Sequence, residues 1–441
     1  MPKFDVIIVG AGLAGLSAGV ELTLKNKKVL IIEAEPVVGG RTSSYNLDGM
    51  DVESGFHRYI GYYSHLPSLL RKVGIKLDDI LTWEDKIHVR VDEKHPIELG
   101  LAPVFGIIKT IKGVLGNSEY LTIKDKLSLI PFFVSGFKDY LKSPEDLDSF
   151  NIRDYAKKHG VTSRAFHYLI VPLSAGIFFL PPDRYSAYVF FGLFAPGIPK
   201  FYKLRIGAYL GGMTEVMCKP IADWIEKRGG MIMTGTKVDS LQYVEEKIKG
   251  VTLNEKINYE ADYTIVATTL HSAKHLLKPN FEEHSWFQPM FKLPLMPAVC
   301  FQIDLAEPAL PLDITTFAPN TCLASFAEQS RTTFRESNGR LSIILTPPEK
   351  FLKMEPEKTL EIIMEDAAKI GMDLKTKILD YRQINHVYDF HSLEPGHQKL
   401  RPIQQTPIKG LILAGDYTKQ PFFATMEGAV YSGIKAAKCI P

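Results

Sequence analysis

The chain opens on the feature that restricts its fold most. FDVIIVG is an unbroken apolar run closed by glycine, which reads as a parallel strand covered on both faces. A helix is expected next, from about Leu13 to Lys25, with Leu16, Val20 and Leu24 near one face. KVLIIEA, from Lys28 to Ala34, reads as a second parallel strand and completes a βαβ unit. Gly10, Gly12 and Gly15 follow the first strand and open the helix, and Glu33 ends the second strand. In such a fingerprint the first glycine permits a tight turn, the second lets the backbone approach a pyrophosphate, and the third allows close packing of helix on strand. The helix N-terminus offers unsatisfied N–H groups and partial positive charge to phosphate, while Glu33 can accept hydrogen bonds from both hydroxyls of an adenosine ribose. A βαβ turn without a nucleotide is the plainer alternative, and the agreement of spacing with context weighs against it.

Further along, Gly39 to Gly61 predicts loops with short extended pieces, and HLPSLLRKVGI a helix ending at Gly74. Between Leu101 and Phe201 the load of Phe, Tyr, Leu and Ile rises, with helices expected near Ile123 to Leu141, Ile152 to His159 and Arg164 to Phe179. Helical periodicity returns at Thr214 to Arg228, stopped by Gly229 and Gly230, and MIMTGTKVDSLQYV and ADYTIVAT are strand-like. Strands are expected at Ala298 to Leu305, Leu341 to Thr346 and Ile378 to Tyr388, with a helix after Pro356. GLILAGD is another buried strand and Met426 to Ala437 a last helix. Residues 1–75, 211–275 and 406–441 are thereby assigned to one nucleotide-binding domain. A helical, membrane-associating part (76–210) and a sheet (276–405) form a substrate domain, so the two domains are interleaved.

Gly39, Gly40, Arg41 and Thr42 place a guanidinium just after the second strand, where it can offset pyrophosphate charge or serve as a surface ion-pair partner. GAGLAGLSAG with EAEPVVGGRTSS resembles the FAD-dependent amine oxidase and carotene desaturase superfamily. AGDYTKQPFFATMEGAVYSG, FGIIKTIKGVLGNSEYLTIKDKLSLIPFF and AGIFFLPPDRYSA are most similar to its plant and cyanobacterial phytoene desaturase type. The resemblance implies an α/β fold, α+β overall, in which a Rossmann-type FAD-binding domain is interleaved with a substrate domain of mixed sheet and helices. It implies non-covalent FAD, with Ala14, Glu33, Ala34 and Arg41 at the adenosine and pyrophosphate, and His57, Arg58 and Tyr63 along the cofactor. Val238 would meet the adenine through its backbone, Asp416 the ribityl or pyrophosphate region, Met426 the pyrimidine edge of the flavin, and Ala424 the substrate. Taken alone, Asp416 could be a helix cap and Met426 a core side chain. Where the plant type carries an arginine, LFAPGIPKFYKLR aligns a proline; Lys200, Lys203 or Arg205 could substitute, or the substrate could differ.

For a desaturation, hydride leaves an allylic carbon for flavin N5 as a proton leaves the neighbouring carbon, and a long dry tunnel is required. Phe178, Phe179, Tyr188, Phe190, Phe191, Phe194, Phe201 and Tyr202 could wall it, or form an ordinary core. His57 and Glu53 are the two candidates for proton transfer, and either could be structural. The same scaffold carries amine oxidases, porphyrinogen oxidases and redox-neutral isomerases, and the flavin could be reoxidised by a quinone or by oxygen.

With 52 Lys+Arg against 50 Asp+Glu, charge gives no case for a nucleic-acid partner. Cys218, Cys300, Cys322 and Cys439 show neither CxxC pairing nor metal-ligand spacing and read as reduced thiols, with no metal. The first strand starts too early for a signal peptide, so the expectation is a cytoplasmic protein, free or peripheral on the inner face of a membrane. Ala165 to Pro182 has no charge except His167 but is broken by Pro172, Gly176, Pro181 and Pro182, which favours a buried or interface-lying segment over a membrane span. Gly106 to Leu141, with Lys109, Lys112, Lys124, Lys126 and Lys138 among apolar residues, could lie on a membrane or be a solvated face.

Overall fold

The apolar run at the start becomes a central strand because both of its faces are covered. The computed structural model describes residues 3–84, 86–93, 97–100, 121–178, 180–203, 205–254 and 256–441. In it β1 (Phe4–Val9), α1 (Leu13–Leu24) and β2 (Val29–Ile32) form the expected βαβ unit. β1 lies between β2 and Ile257–Val266; Met231–Met233 adds outside β2, and Leu411–Leu413 outside Ile257–Val266, all parallel. The first half of Ile257–Val266 turns antiparallel to Lys247–Leu253, which pairs with Val238–Val244. Val6, Ile8, Val29 and Ile31 feed a core under α1, the final helix Met426–Lys438 and the helix Lys219–Glu226. Ile7, Leu30 and Ile32 feed a second core under the helix Leu270–Phe281.

At the strand-to-helix turn Gly10 takes φ 104°, a left-handed value that side-chain-bearing residues rarely adopt. A Cβ on Gly15 would lie 1.9 Å from the Gly10 carbonyl oxygen, so only glycine lets α1 sit this close to the turn.

A second sheet runs in the order Ile378–His391, Leu295–Leu305, Gly339–Leu345, Leu323–Glu328, Thr316–Phe317, Lys86–Val89, Ile97–Gly100. Its pairs are antiparallel except Thr316–Phe317 with Lys86–Val89. The helix Pro356–Lys369 covers part of it, and the helices Ile123–Lys142, Ile152–Lys158 and Ala187–Phe194 build an aromatic core beside it. The stretch 76–210, expected to be helical, therefore begins with strands, since Leu81–Glu84 joins Ile206–Tyr209 and Tyr59–Ile60 in a small third sheet. These strands are two to four residues long, and their partners lie far away in sequence, so periodicity gives no warning of them.

Two expected helices are not uniform. Arg164 to Phe179 resolves into Ser163–Ala165, a π-helical turn at Phe166–Ile170 and Val171–Phe178, with Phe179 outside the described residues. Thr214 to Arg228 likewise opens with a π turn at Thr214–Cys218 before Lys219–Glu226. In each case a proline, Pro172 or Pro220, follows the turn and removes one backbone donor from the regular ladder. Among the described residues no helix is long and apolar enough to cross a membrane.

One buried carboxylate ties the last helix to the first domain segment. Glu427 is fully buried, and its carboxylate accepts from the backbone N–H groups of Ser64 (2.7 Å), His65 (2.7 Å) and Leu66 (2.9 Å) at the start of the helix His65–Lys72. Negative charge is favourable at that end of a helix. Glu427→Ala would leave these donors without an acceptor and is expected to lower stability by about 3 kcal/mol. The check is a urea titration followed by far-ultraviolet circular dichroism, and an unchanged midpoint would refute this role.

Candidate functional site

The carboxyl ends of the parallel strands face one continuous cavity of about 1370 Å³, where ligands of such sheets are held. Gly10, Gly12, Ala14, Glu33, Ala34, Gly40, Arg41, His57, Arg58, Tyr63, Val238, Asp416, Ala424 and Met426 all line it. Chain order explains little of this gathering; topology explains it. Val238 arrives beside Glu33 because the loop before it is pinned to the end of β2, with Thr236 N–H donating to the Glu33 carbonyl at 2.9 Å. Asp416 arrives beside Arg41 because Leu411–Leu413 extends the same sheet. Gly15 does not line the cavity and acts in packing.

At the nucleotide end, α1 begins at Gly12 with no side-chain cap and no acidic residue in its first turn, so its N–H groups remain available to an anion. A Cβ on Gly12 would point into open space, with only the Gly39 carbonyl oxygen nearby at 3.9 Å. Glu33 is oriented by two backbone donors, Ala11 N–H (2.7 Å) and Glu35 N–H (3.0 Å). Arg41 pairs with Asp416 at 2.6 Å, joining the two ends of the chain across the cavity. Burial alone would raise the Asp416 carboxyl, yet Arg41, His391 and Arg401 together hold it below the ordinary carboxylate range. Its second oxygen, Oδ2, is buried with no protein partner. A bare helix N-terminus, an open glycine cradle and an unsatisfied acceptor fit a pyrophosphate flanked by hydroxyl-bearing sugars.

The two proton-transfer candidates separate. His57 lines the cavity, and burial, with Arg41 and His386 adding to it, pulls its pKa down to about 4, so it is neutral near pH 7. Its Nδ1 is buried without a partner. Glu53 does not reach the cavity: it is buried behind it, accepting from Met213 N–H at 3.3 Å, while burial pushes its pKa up to about 8. Arg58 reaches the cavity but is committed to Glu84 (2.8 Å), Thr315 (3.0 Å) and Asp313. Burial raises the Glu84 carboxyl to about 7 even with Arg58 opposing.

The far end of the cavity is apolar. Leu173, Gly176, Ile177, Leu193, Phe194, Ile206, Phe317, Ala298, Ile344 and Phe390 line it, from helices, the small sheet and the second sheet together. Of the aromatic residues expected to wall a tunnel, Phe194 does so. Phe190 and Phe191 are instead fully buried in a cluster with Phe132 and Tyr155, and Tyr188 stacks on Tyr140 at 5.0 Å; all three belong to the helical core. Phe179 and the side chains of Phe178, Phe201 and Tyr202 lie outside the described residues, as do Lys109 and Lys112. Sequence reading missed Tyr62, whose hydroxyl donates to the Leu193 carbonyl at 2.7 Å, and the second-sheet residues Phe317, Ile344 and Phe390. The one signal for this wall was Gly176 in an aromatic-rich segment: a Cβ there would lie 2.2 Å from the Phe317 ring. Ala424, beside this wall, takes φ 45°, a strained value for a residue with a Cβ.

The family model described as flavin containing amine oxidoreductase matches residues 13–441. The chain is similar to the 15-cis-phytoene desaturase of Solanum lycopersicum, with 27% identity covering 99% of this chain and 77% of that protein. It is similar to the 15-cis-phytoene desaturase of Synechococcus elongatus at 25% identity, covering 99% of this chain and 95% of that one. A solved oxidoreductase from Methanosarcina mazei shares the fold with a TM-score of 0.76, at 19% identity over 99% of this chain and 100% of the other.

Two outcomes follow from the geometry. Glu33→Ala and Arg41→Ala should each weaken flavin retention roughly tenfold or more, since each removes a charged hydrogen-bonding group; wild-type flavin content in both after gel filtration would count against the site. Glu53 is protonated in the fold up to about pH 8, whereas in the unfolded chain it ionises near 4.5. Stability must then fall as pH rises through that window, and Glu53→Gln should flatten the decline between pH 5 and 8. Parallel melting curves for wild type and variant across the window would refute it.

Proposed function

The chain belongs to the family of flavin containing amine oxidoreductases, and from that premise we propose that it dehydrogenates an apolar isoprenoid of the carotenoid kind. It is an FAD-dependent oxidoreductase of the amine oxidase and carotene desaturase family; the substrate is the part proposed. The single observation that carries the proposal is the distribution of charge along the cavity. Its acidic lining residues, Glu33, Glu35 and Asp416, all lie on elements of the nucleotide end, and among the described residues the apolar walls bring no carboxylate. A cationic amine in that chamber would have no counter-charge, and a buried unpaired ammonium is costly. A hydrocarbon chain incurs no such cost and gains by leaving water. The names of the two desaturase relatives agree with this reading.

Bound FAD supplies a two-electron acceptor. The residues of the chain bind and orient it: the α1 N-terminus and Arg41 toward the pyrophosphate, Glu33 toward the ribose, Val238 toward the adenine, Asp416 toward the ribityl hydroxyls, and the start of the final helix at Met426 toward the flavin ring. Tyr62, locked to Leu193, and the apolar walls keep water from the reacting carbon. His57 is neutral and Glu53 is remote, so neither is a strong base near pH 7. This suits a reaction in which the carbon next to a developing allylic cation loses its proton readily and calls for no strong base.

A membrane surface is the natural reservoir of such a substrate, and a quinone or oxygen would take the electrons. The helix Ile123–Lys142 bears an exposed row of Ile123, Leu127, Ile130, Val134 and Leu141 beside Lys124, Lys138 and Lys142, the pattern of a helix lying in a lipid interface.

The test is anaerobic. FAD-loaded protein is mixed with vesicles carrying phytoene, or with aliphatic and aromatic amines, while the visible flavin band is followed. Bleaching by the polyene precursor with a new longer-wavelength chromophore is expected, and bleaching by amines alone would overturn the proposal.

A further inference from the structure

Away from the nucleotide end, where Lys237 lies beside Val238, Arg205 stands out among the residues of the cavity because its charge has no answer. Arg41 is paired with Asp416 and Arg58 with Glu84 and Asp313. Arg205 also lines the cavity, next in sequence to Ile206 of the apolar wall, yet among the described residues it has no carboxylate at ion-pair distance and no side-chain hydrogen bond. It is nevertheless held in place. Its guanidinium carbon lies 3.5 Å from the centre of the Trp83 ring, which fixes the plane of the fork by stacking. Its backbone carbonyl accepts from Gly61 N–H at 2.8 Å, and its stem crosses Gly61 so closely that a Cβ there would lie 2.8 Å from Arg205 Cγ. Stacking on Trp83 and packing of its stem on Gly61 thus hold a planar, permanently charged donor beside the apolar wall of the cavity.

Resting on the reading of an apolar substrate, we propose that Arg205 is a recognition site for a carboxylate at the end of that chain, so that the chamber favours isoprenoid acids over the corresponding alcohols or amines. The fork geometry matches a carboxylate through two parallel N–H donors, and the apolar surroundings strengthen the pairing compared with open water. The same charge repels an ammonium group, giving specificity by exclusion as well as attraction. Arg205 is a specificity residue here: it touches the end group of the ligand and takes no part in the redox step.

The experiment uses three probes that share one C20 chain and differ only in the end group: geranylgeranoic acid, geranylgeraniol and geranylgeranylamine. Each is titrated at pH 7.5 into FAD-loaded protein, below the critical aggregation concentration of the probe, and binding is read from perturbation of the visible flavin spectrum. The acid should bind roughly tenfold more tightly than the alcohol, with the amine weakest. Arg205→Leu should bring acid and alcohol together while flavin occupancy stays at the wild-type level, and Arg205→Lys should keep part of the preference, retaining charge without the fork. Equal affinity for acid and alcohol in the wild type, or a preference that survives Arg205→Leu, overturns the end-group assignment and leaves the apolar reading standing. If none of the three perturbs the flavin, both fall together.

Discussion

A carboxylate near the end of the chain must meet a guanidinium near its beginning, and much of the architecture serves that meeting. Asp416 sits at the tip of the last parallel strand and Arg41 just past β2; their contact at 2.6 Å closes the nucleotide end of the cavity. Burial of Asp416 is offset by the positive potential of Arg41 and Arg401 beside it. The remaining oxygen, Oδ2, has no partner among the described residues, and a fold rarely leaves a buried charged acceptor unsatisfied without a ligand to complete it. The same meeting explains why the first and last segments share a domain although hundreds of residues separate them. Leu411–Leu413 must join the sheet to bring Asp416 in, and Glu427 must cap the helix His65–Lys72 to hold the final helix over it.

From that end the cavity changes character step by step. Near the sheet Arg41 is matched by Asp416 and Glu33 by backbone donors, and the walls beyond Tyr62 are mostly hydrocarbon from three different structural layers, with Arg205 beside them. No single element could make such a chamber. The helix Val171–Phe178 brings Leu173 and Ile177, the small sheet brings Ile206, and the second sheet brings Phe317, Ile344 and Phe390. Water is excluded by this shared lining, and electrostatic effects are correspondingly larger than at a surface. The matching of Arg58 by Glu84 and Asp313 then has a clear use: it removes a cation from the chamber while leaving the side chain as a strut between the small sheet and the loop before Thr316–Phe317.

The nucleotide half was legible in the sequence because its determinants are local. Gly10, Gly12, Gly15 and Glu33 lie within one βαβ unit, and each does a job fixed by backbone geometry over a few residues. Asp416, Met426 and Val238 are not local, and physical reading alone left Asp416 as a possible cap and Met426 as a core side chain; the family resemblance placed them. The chamber was hardly legible at all. Aromatic density pointed to Phe190 and Phe191, which pack inward, because composition does not reveal which face of a helix meets a void and which meets its neighbours. The strands Leu81–Glu84 and Lys86–Val89 escaped notice for a related reason: four-residue strands owe their existence to partners brought from elsewhere.

Strain and neutrality at the centre point the same way. Ala424 is held at a positive φ beside the apolar wall, immediately before the final helix, where the packing of Phe423 and the cap from Thr425 over-determine the backbone. Such strain, of about 1–2 kcal/mol, persists where the surroundings require one geometry. The required geometry sets the start of the helix at Met426, whose sulfur accepts from the Tyr209 hydroxyl at 3.6 Å. Around it the titratable groups are kept uncharged: His57 is pulled down to about 4, and the buried tyrosines Tyr62 and Tyr63 are pushed above their ordinary range. Apart from Arg205, stacked on Trp83, the charged groups named here are paired, so an unpaired ammonium among them would add a desolvation cost that hydrocarbon does not incur.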